Sequence, residues 1–582
     1  MLRPPEERFL ACDAPDAAAR QERALWPIHA KMIGRIDFDK LALLDCSESV
    51  MEHWLHELGW LLDDTRYAAV PIAGAVGVPS ARYKARWMRK LLDCGVIERI
   101  DSDQVRGHVH MFVVPEERKE RFRSIKHTAS INFHCGRESL TKCAFPGKAE
   151  VADSVHDGSC FIALDFAAYY DQFPLGEAVS TRMCFRQDKD FYRLRTLAMG
   201  QRQAVEVANA ATALLLDFPR RSASTLSIID NVKFTGSKDA VVHDAWIFIQ
   251  RCKTVNATLN EIDVTTATRE QVECLVRHAG EWAGIYHDLA SKTVRLTDKL
   301  VEKATASWSH RARWTWREYA GHVGLLFWAW NIIDVPVAEF FDVLRFNSEL
   351  GQYMTTQQLP QRPDGTCPKN EAWDRPAQIY DSVWPLIKSW TELLLRNAPR
   401  AVRRRQPPQL LMECDTSGIG YGYVSLNETS GELFSWGAPW TEGDRKVHGE
   451  KLGKSVYSEP LGLRRCVMHA LLRNATVSNI AVGTDNTVTR AAFTRGFNSH
   501  SFHINRCVQL FARDFPRSTY DFSFTYVPGA EILGDAPSRG RIDCKHNRDE
   551  KVDMLRRHLG PTTTQVRKSV VMRPQRATVE RS

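Results

Sequence analysis

Two apolar runs that each close on a single carboxylate constrain this chain more than any other feature. Phe161-Ile-Ala-Leu-Asp165 leads into Phe-Ala-Ala-Tyr-Tyr170-Asp-Gln and a Phe173-Pro174-Leu175 stop. Ser227-Ile-Ile-Asp230-Asn231-Val-Lys-Phe234 repeats the pattern, apolar up to one Asp. Short apolar runs rich in β-branched and aromatic residues read as buried strands. A strand that buries Phe161 and Leu164 yet ends on an acid keeps that acid for a cation. Two acids on neighbouring strands suit a pair of divalent ions, which must be held roughly 4 Å apart to clamp an attacking and a leaving oxygen.

At 582 residues the chain exceeds what one hydrophobic core serves, so several domains are expected. Its 43% hydrophobic and 25% charged content excludes wholesale disorder. Lys and Arg number 78 against 70 Asp and Glu, and the net charge of +8 suits a polyanionic partner. The 14 cysteines include no Cys-x-x-Cys pair, which argues against a zinc knuckle or a disulfide framework and for a reducing cytoplasmic or nuclear setting. Met1-Leu-Arg-Pro-Pro-Glu-Glu lacks the apolar core of an export signal. The most apolar window, Val323 to Pro336, is interrupted by Asn331, Asp334 and Pro336, short of the roughly 20 residues that span a bilayer. It reads as a buried helix, and no membrane partner is expected.

Along the chain, residues 1–80 carry helical spacing, as in Val50-Met-Glu-His-Trp54-Leu-His-Glu-Leu58-Gly-Trp60, with no assignable chemistry. Residues 81–298 mix short helical and strand-like runs, and 299–399 are mainly helical with a polar break near Pro363. Residues 400–408, with Arg403, Arg404, Arg405 and two consecutive prolines, read as a basic linker. Residues 409–543 read as an α/β unit, and 544–582, which include Arg567, Lys568, Arg573, Arg576 and Arg581, as a disordered basic tail.

Taken singly, an Asp after an apolar run is most often a strand end or a cap, and Tyr170 a core residue. Their order changes the reading. Arg123-Ser-Ile-Lys-His127-Thr-Ala-Ser-Ile-Asn132, Asp165 with Tyr170, Met199-Gly200-Gln201-Arg202-Gln203, Ile228-Ile-Asp230-Asn231, and His278-Ala-Gly280-Glu-Trp282 followed by Lys292-Thr-Val-Arg295 succeed one another. This succession resembles a reverse transcriptase. The resemblance implies that Asp165 and Asp230 are catalytic metal ligands, with Asn231 standing where the family has a second acid and contributing an amide oxygen without charge. It further implies that Arg123, Gly200 and Gln203 meet the incoming nucleotide and that Tyr170 is a steric gate beneath its sugar. Arg202, Gly280, Trp282, Lys292 and Arg295 would hold template and primer. His127 departs from the family, which has an acid there.

The later region carries a second set. Asp415-Thr-Ser-Gly looks like an aspartic protease triplet, but lacks the Gly directly after Thr. Asp415 ends an apolar strand, and Glu459 follows Ser458, placed to cap a helix whose first turn tolerates Pro460. Asp485 follows Asn479-Ile-Ala-Val-Gly-Thr484, and Asp535 lies in Gly534-Asp535-Ala-Pro-Ser538-Arg539. Asp485 alone would be a plausible helix cap. The four in this order resemble ribonuclease H, with Gly534 replacing the usual Ala. That resemblance makes all four catalytic metal ligands around two ions.

The expected fold class is therefore α/β multidomain: an α+β right-hand polymerase with fingers, palm and thumb, then a ribonuclease H-like α/β domain. The wording of Asp-Phe-Ala-Ala-Tyr-Tyr-Asp-Gln, Met-Gly-Gln-Arg-Gln and Asp-Ala-Pro-Ser-Arg is similar to DIRS-like tyrosine recombinase retrotransposons of the VIPER type of trypanosomatids. The resemblance covers Arg82 to Arg541. It implies an RNA-directed DNA polymerase with ribonuclease H activity using Mg2+ or Mn2+, two ions per site. Its partners would be an RNA template, a DNA primer, an RNA:DNA hybrid and deoxynucleoside triphosphates, with the recombinase a separate protein. The alternative is a degenerate or domesticated copy that binds nucleic acid without polymerising.

Overall fold

The computed structural model describes residues 26–560, apart from 32, 79–83, 117–118, 136–144, 361–367, 405, 518 and 544. The start of the chain, the polar break near Pro363 and the tail from Arg567 onward lie outside the described residues. The described residues divide into two compact units: one holds those up to Lys292 with the described part of Leu359–Lys369, the other Thr293–Gln358 with those from Asn370 to Gly560. The expected α/β multidomain class is the one found, and among the described residues no helix is long and apolar enough to cross a membrane.

The first unit is organised by a three-stranded antiparallel sheet. Asn231–Gly236 lies in its centre, between Cys160–Asp165 and Ser224–Ile228. The two carboxylate-terminated runs are therefore not direct neighbours: Asn231–Gly236, which follows Asp230, lies between them and pairs with both. The helix Ala204–Leu216 buries Val207, Ala208, Ala210, Ala211, Leu214 and Leu215, its alanines allowing close approach. The helix Lys238–Thr254 completes this core with Phe248 and Ile249. The described residues before 79 form no separate extension: the helix Glu48–Leu62 packs on Ala204–Leu216, and Trp54, Trp60, Leu61 and Tyr67 join the same core. A second small sheet holds the fingers motif, with Arg121–His127 antiparallel to His110–Glu116 and parallel to Ile28–His29.

The second unit contains a five-stranded sheet in the order Glu432–Pro439, Gly420–Asn427, Leu410–Thr416, Asn479–Thr484, Asp521–Tyr526. The first three strands are antiparallel neighbours, and the last two continue parallel. Alternation along Leu410–Thr416 sends Leu410, Met412 and Cys414 into one core with Leu463, Cys466 and Val467. Leu411 faces the other core, with Val424, Met554, Leu555 and Leu559. The helices Asp298–Ser309, Trp316–Ala329, Phe341–Thr356 and Trp384–Arg396 share this unit, and Asn505 Nδ2 donates to Ala338 O at 2.7 Å. The apolar window is helical to Ala329, and Ile332 and Val335 beyond it are buried, as expected.

Three expectations need correction. Arg400–Ala401 is not free linker but a short strand antiparallel to Thr293–Val294. The stretch after 543 is not all tail, because Arg548–Leu559 is a helix with an Asn547–Glu550 capping box and a buried apolar face. Its polar surface masked that face in the sequence. The helix carrying Glu459 begins at Ser455, a turn earlier than read, so Ser458 is not its cap and Pro460 lies inside it. Proline there removes one N–H from the ladder, and Ser458 Oγ donates to Lys454 O at 3.2 Å.

Candidate active sites

In the first unit, pairing of Asn231 with Asp165 and with Ile228 leaves Ile229-Asp230 as the two residues of a tight hairpin. Ile229 has φ +55°, the left-handed region, which for a β-branched side chain costs on the order of 1–3 kcal/mol. The turn thereby sets Asp230 beside Asp165, and Phe166 N donates to Asp230 O at 3.0 Å. Burial, then the charge of Asp230, pushes the Asp165 carboxyl up to about 6. Burial raises Asp230 as well. Asn231 Nδ2 donates to Asp230 Oδ1 at 3.1 Å. Asn260 Nδ2 donates to Asp165 Oδ2 at 2.9 Å, and the Asp165 amide donates to Glu261 Oε2 at 2.9 Å. Asp165 Oδ1 is buried with no hydrogen-bond donor on it. A carboxylate oxygen enclosed in this way fits a hard cation. Asp165, Asn231, Glu261, Arg277 and Glu281 line one cleft of about 250 Å³.

The other residues expected around that site divide into accessible and enclosed. Arg123 pairs with Glu116 at 2.9 Å and stays partly exposed. Tyr170 is half-buried in the single-turn helix Tyr169–Gln172, and Gly200 is exposed. A Cβ on Gly200 would stand 2.8 Å from Lys126 O, so glycine there is required by packing on the fingers strand. Asn132, on the helix Ala129–His134, clamps this loop by donating to Gly200 O and accepting from Arg202 N, each at 2.8 Å. Arg202 also donates to Cys135 O. Gln203 is fully enclosed, so it packs rather than presents a surface. Trp282 is 3% exposed beneath the buried Lys233, whose Nζ stands 5.8 Å from its ring. Gly280 packs on Phe161. Lys292 Nζ is spent on Val155 O and Gly158 O, and Arg295 on Asp298. Gln203 is thus enclosed with its amide unpaired and Lys292 Nζ is held by two backbone carbonyls, whereas Trp282, though almost wholly buried, lines the same cleft as Asp165.

In the second unit, Asp415, Glu459 and Asp485 each offer a carboxylate oxygen within 4.8 Å of the others. Three elements deliver them: the end of the central strand, the helix Ser455–Arg473 and the loop after Asn479–Thr484. Asp485 is not a cap, since Asn486 caps Thr487–Arg495 by accepting from Thr489 N at 2.8 Å. Glu459 is 1% exposed, and burial, then the Asp415 charge, raises its carboxyl to about 9. Burial, with Asp485 and Asp535, raises Asp415 to about 6. The two carboxyls therefore titrate as one pair, which burial makes readier to keep a proton. Three carboxylates held together with raised proton affinity fit a divalent cation, which replaces that proton's charge.

Asp535 stands outside the trio, ion-paired to Arg539 at 2.8 Å, yet close enough to raise Asp415 and Asp485. Gly534 is no neutral exchange for Ala: a Cβ would stand 2.7 Å from Asp415 N. The reading of residue types missed the supports of this site. Thr416 donates through N and Oγ1 to Glu459 Oε1, and Ser538 Oγ donates to Asp415 Oδ2 at 3.3 Å. Asn260 and Glu261 were likewise missed beside Asp165.

No family model matches the sequence, and no curated protein matches it. Among solved structures the chain is similar to the foamy viral protease-reverse transcriptase dRH in complex with double-stranded DNA. That likeness has a TM-score of 0.42 and 12% identity over 86% of this chain and 83% of that one. It is also similar to the foamy viral protease-reverse transcriptase in complex with RNA/DNA hybrid, with a TM-score of 0.40 and 11% identity over 90% of this chain and 63% of that one. Likeness at this level assigns no activity.

Proposed function

We propose that this chain is an RNA-directed DNA polymerase with ribonuclease H activity, of the DIRS-like, VIPER-type retrotransposon class that its motifs resemble. The observation that carries the reading is the meeting of acids remote in sequence: Asp165 at a strand end beside Asp230 in the adjoining hairpin turn, and Asp415, Glu459 and Asp485 within 4.8 Å. Its cofactors are two Mg2+ or Mn2+ ions per site, and its partners an RNA template, a DNA primer, deoxynucleoside triphosphates and the resulting hybrid.

Bound divalent ions supply Lewis-acid activation of the attacking oxygen and charge stabilisation of the leaving one. The remaining work falls to side chains. Asp165 and Asp230 hold the reacting phosphate's counter-charge at the strand ends, and Asn231 adds an oxygen ligand without charge. Tyr170 stands beneath the sugar and excludes a 2′-hydroxyl, while Arg123 orients the triphosphate. In the nuclease, Thr416 fixes the Glu459 carboxylate and Ser538 fixes that of Asp415, so neither pays reorganisation during hydrolysis of the RNA strand.

Primer extension on an RNA template by wild type and Asp165→Asn, with hybrid cleavage by wild type and Asp415→Asn, tests both halves. Each substitution abolishes its own activity and spares the other. One rival reading is motivated by Asn231: a chain that binds hybrids with salt-sensitive affinity but makes no DNA. Absence of extension with either Mg2+ or Mn2+, alongside retained hybrid binding, selects it.

A further inference from the structure

We infer that Lys126 is a positioning residue for sugar selection, coupling the fingers strand to the turn that carries Tyr170. The inference rests on the polymerase reading of that site. Lys126 belongs to the Arg121–His127 strand, but unlike Arg123 it points inward and is only 9% exposed. A buried ammonium must find a partner. It finds two: Nζ ion-pairs with Asp171 and donates to Thr196 Oγ1 at 3.1 Å. Thr196 Oγ1 in turn donates to Asp171 Oδ1 at 3.1 Å, so lysine, carboxylate and hydroxyl form a closed triangle.

Asp171 is the residue directly after Tyr170, inside the single turn Tyr169–Gln172. The rest of this turn is fastened to the helix Ala204–Leu216 and to neighbouring loops. The Tyr169 ring stacks on Phe166 at 4.1 Å, and its hydroxyl lies 2.8 Å from Thr212 Oγ1. Gln172 Nε2 donates to Ala167 O and Thr258 O, each at 2.8 Å, and its Oε1 accepts from Thr258 N. The turn is entered through Ala168 at φ +44°, a left-handed conformation that alanine keeps only when its surroundings hold it. Palm contacts therefore hold both flanks of Tyr170, while Asp171 ties the turn to the fingers strand.

That strand also supplies Arg123, and its Lys126 carbonyl is the surface on which Gly200 packs. One strand thus fixes the triphosphate side, the sugar side and the nucleotide-facing loop in a common frame. A gate works by a steric margin of about one hydroxyl, so its ring must be held to a fraction of an ångström, and a misplacement of about 1 Å costs up to ~100-fold in such sites. Lys126 and Asp171 supply that rigidity without touching the nucleotide.

The test is single-nucleotide extension, comparing a deoxynucleotide with its ribonucleotide on one enzyme preparation, for wild type, Lys126→Met, Lys126→Arg, Asp171→Asn and Tyr170→Ala. The ratio of the two rates is unaffected by the fraction of folded enzyme. Lys126→Met is expected to lower the preference for the deoxynucleotide by ~10-fold, Asp171→Asn to lower it in the same direction, and Lys126→Arg to restore it. Should Lys126→Met fail to fold, Asp171→Asn, which keeps the shape and the Thr196 bond, decides alone. Equal loss on both nucleotides, with an unchanged ratio, overturns the coupling while leaving the polymerase reading intact. No extension by wild type overturns the polymerase reading and this inference with it.

Discussion

Replacing Asp415 by Asn gives the most quantitative test of the metal assignment. Asp415 is 6% exposed, and burial raises its carboxyl from 3.8 to about 6. A rise of roughly two units at 1.36 kcal/mol each amounts to about 3 kcal/mol by which folding disfavours the ionised form at neutral pH. Because Asp415 and Glu459 titrate as one pair, part of this belongs to both, and an amide at 415 recovers about 2 kcal/mol. The sign follows from the direction of the shift. A carboxyl whose folded value is raised contributes its stability fully below 3.8 and loses it as pH climbs through about 6. The Asn protein is therefore expected to melt above wild type at about pH 7.5 in EDTA, by ~4–8 °C for a unit of this size, and to lose that advantage near pH 4. Millimolar Mg2+ raises the wild-type melting temperature and leaves Asp415→Asn where it was, because only wild type binds the ion. Hybrid cleavage is lost in the variant. A variant that melts at or below wild type at neutral pH in EDTA, or that still gains from Mg2+, refutes the argument.

Asn231→Asp adds the missing charge beside Asp165 and Asp230, and primer extension at limiting Mg2+ should rise ~10-fold. An unchanged rate would show that the amide costs nothing. Asp485→Asn should abolish hybrid cleavage without lowering stability, whereas Asn486→Ala should destabilise by about 1 kcal/mol and leave cleavage intact, since Asn486 is the cap. Equal destabilisation by both in thermal melts would return Asp485 to a capping role. Ending the chain at Asp543 removes Met554, Leu555 and Leu559 from the core around Leu411, a loss of about 5 kcal/mol at roughly 1.5–3 kcal/mol per buried side chain. Urea denaturation measures it, and an unchanged midpoint would mean that the last helix is dispensable.

The local sequence determined a great deal about this protein. Apolar runs ending on Asp165, Asp230 and Asp415 announced strands, buried before Asp165 and Asp415 and half-buried before Asp230, since a short apolar run and a terminal acid are properties of adjacent residues. The helix Glu48–Leu62 was legible from its own spacing, and the end of Trp316–Ala329 from the apolar window that begins at Val323. So was the order in which the acids occur, from which the α/β multidomain class was drawn.

What only the tertiary structure decided was which side chains are free to act. Lys292 and Gln203 have the right chemistry for nucleic acid, but folding encloses Gln203 and ties Lys292 Nζ to Val155 O and Gly158 O, because an ammonium drawn into the fold must find partners. The same requirement recruited residues that no motif singled out: Lys126 to Asp171, Thr416 to Glu459, Asn260 to Asp165. It also showed why Gly534 cannot be alanine, since the clash is with the backbone of Asp415, far away in sequence. Strand pattern is written in neighbouring residues, whereas burial, proton affinity and partner choice arise from groups that meet only when the chain is folded.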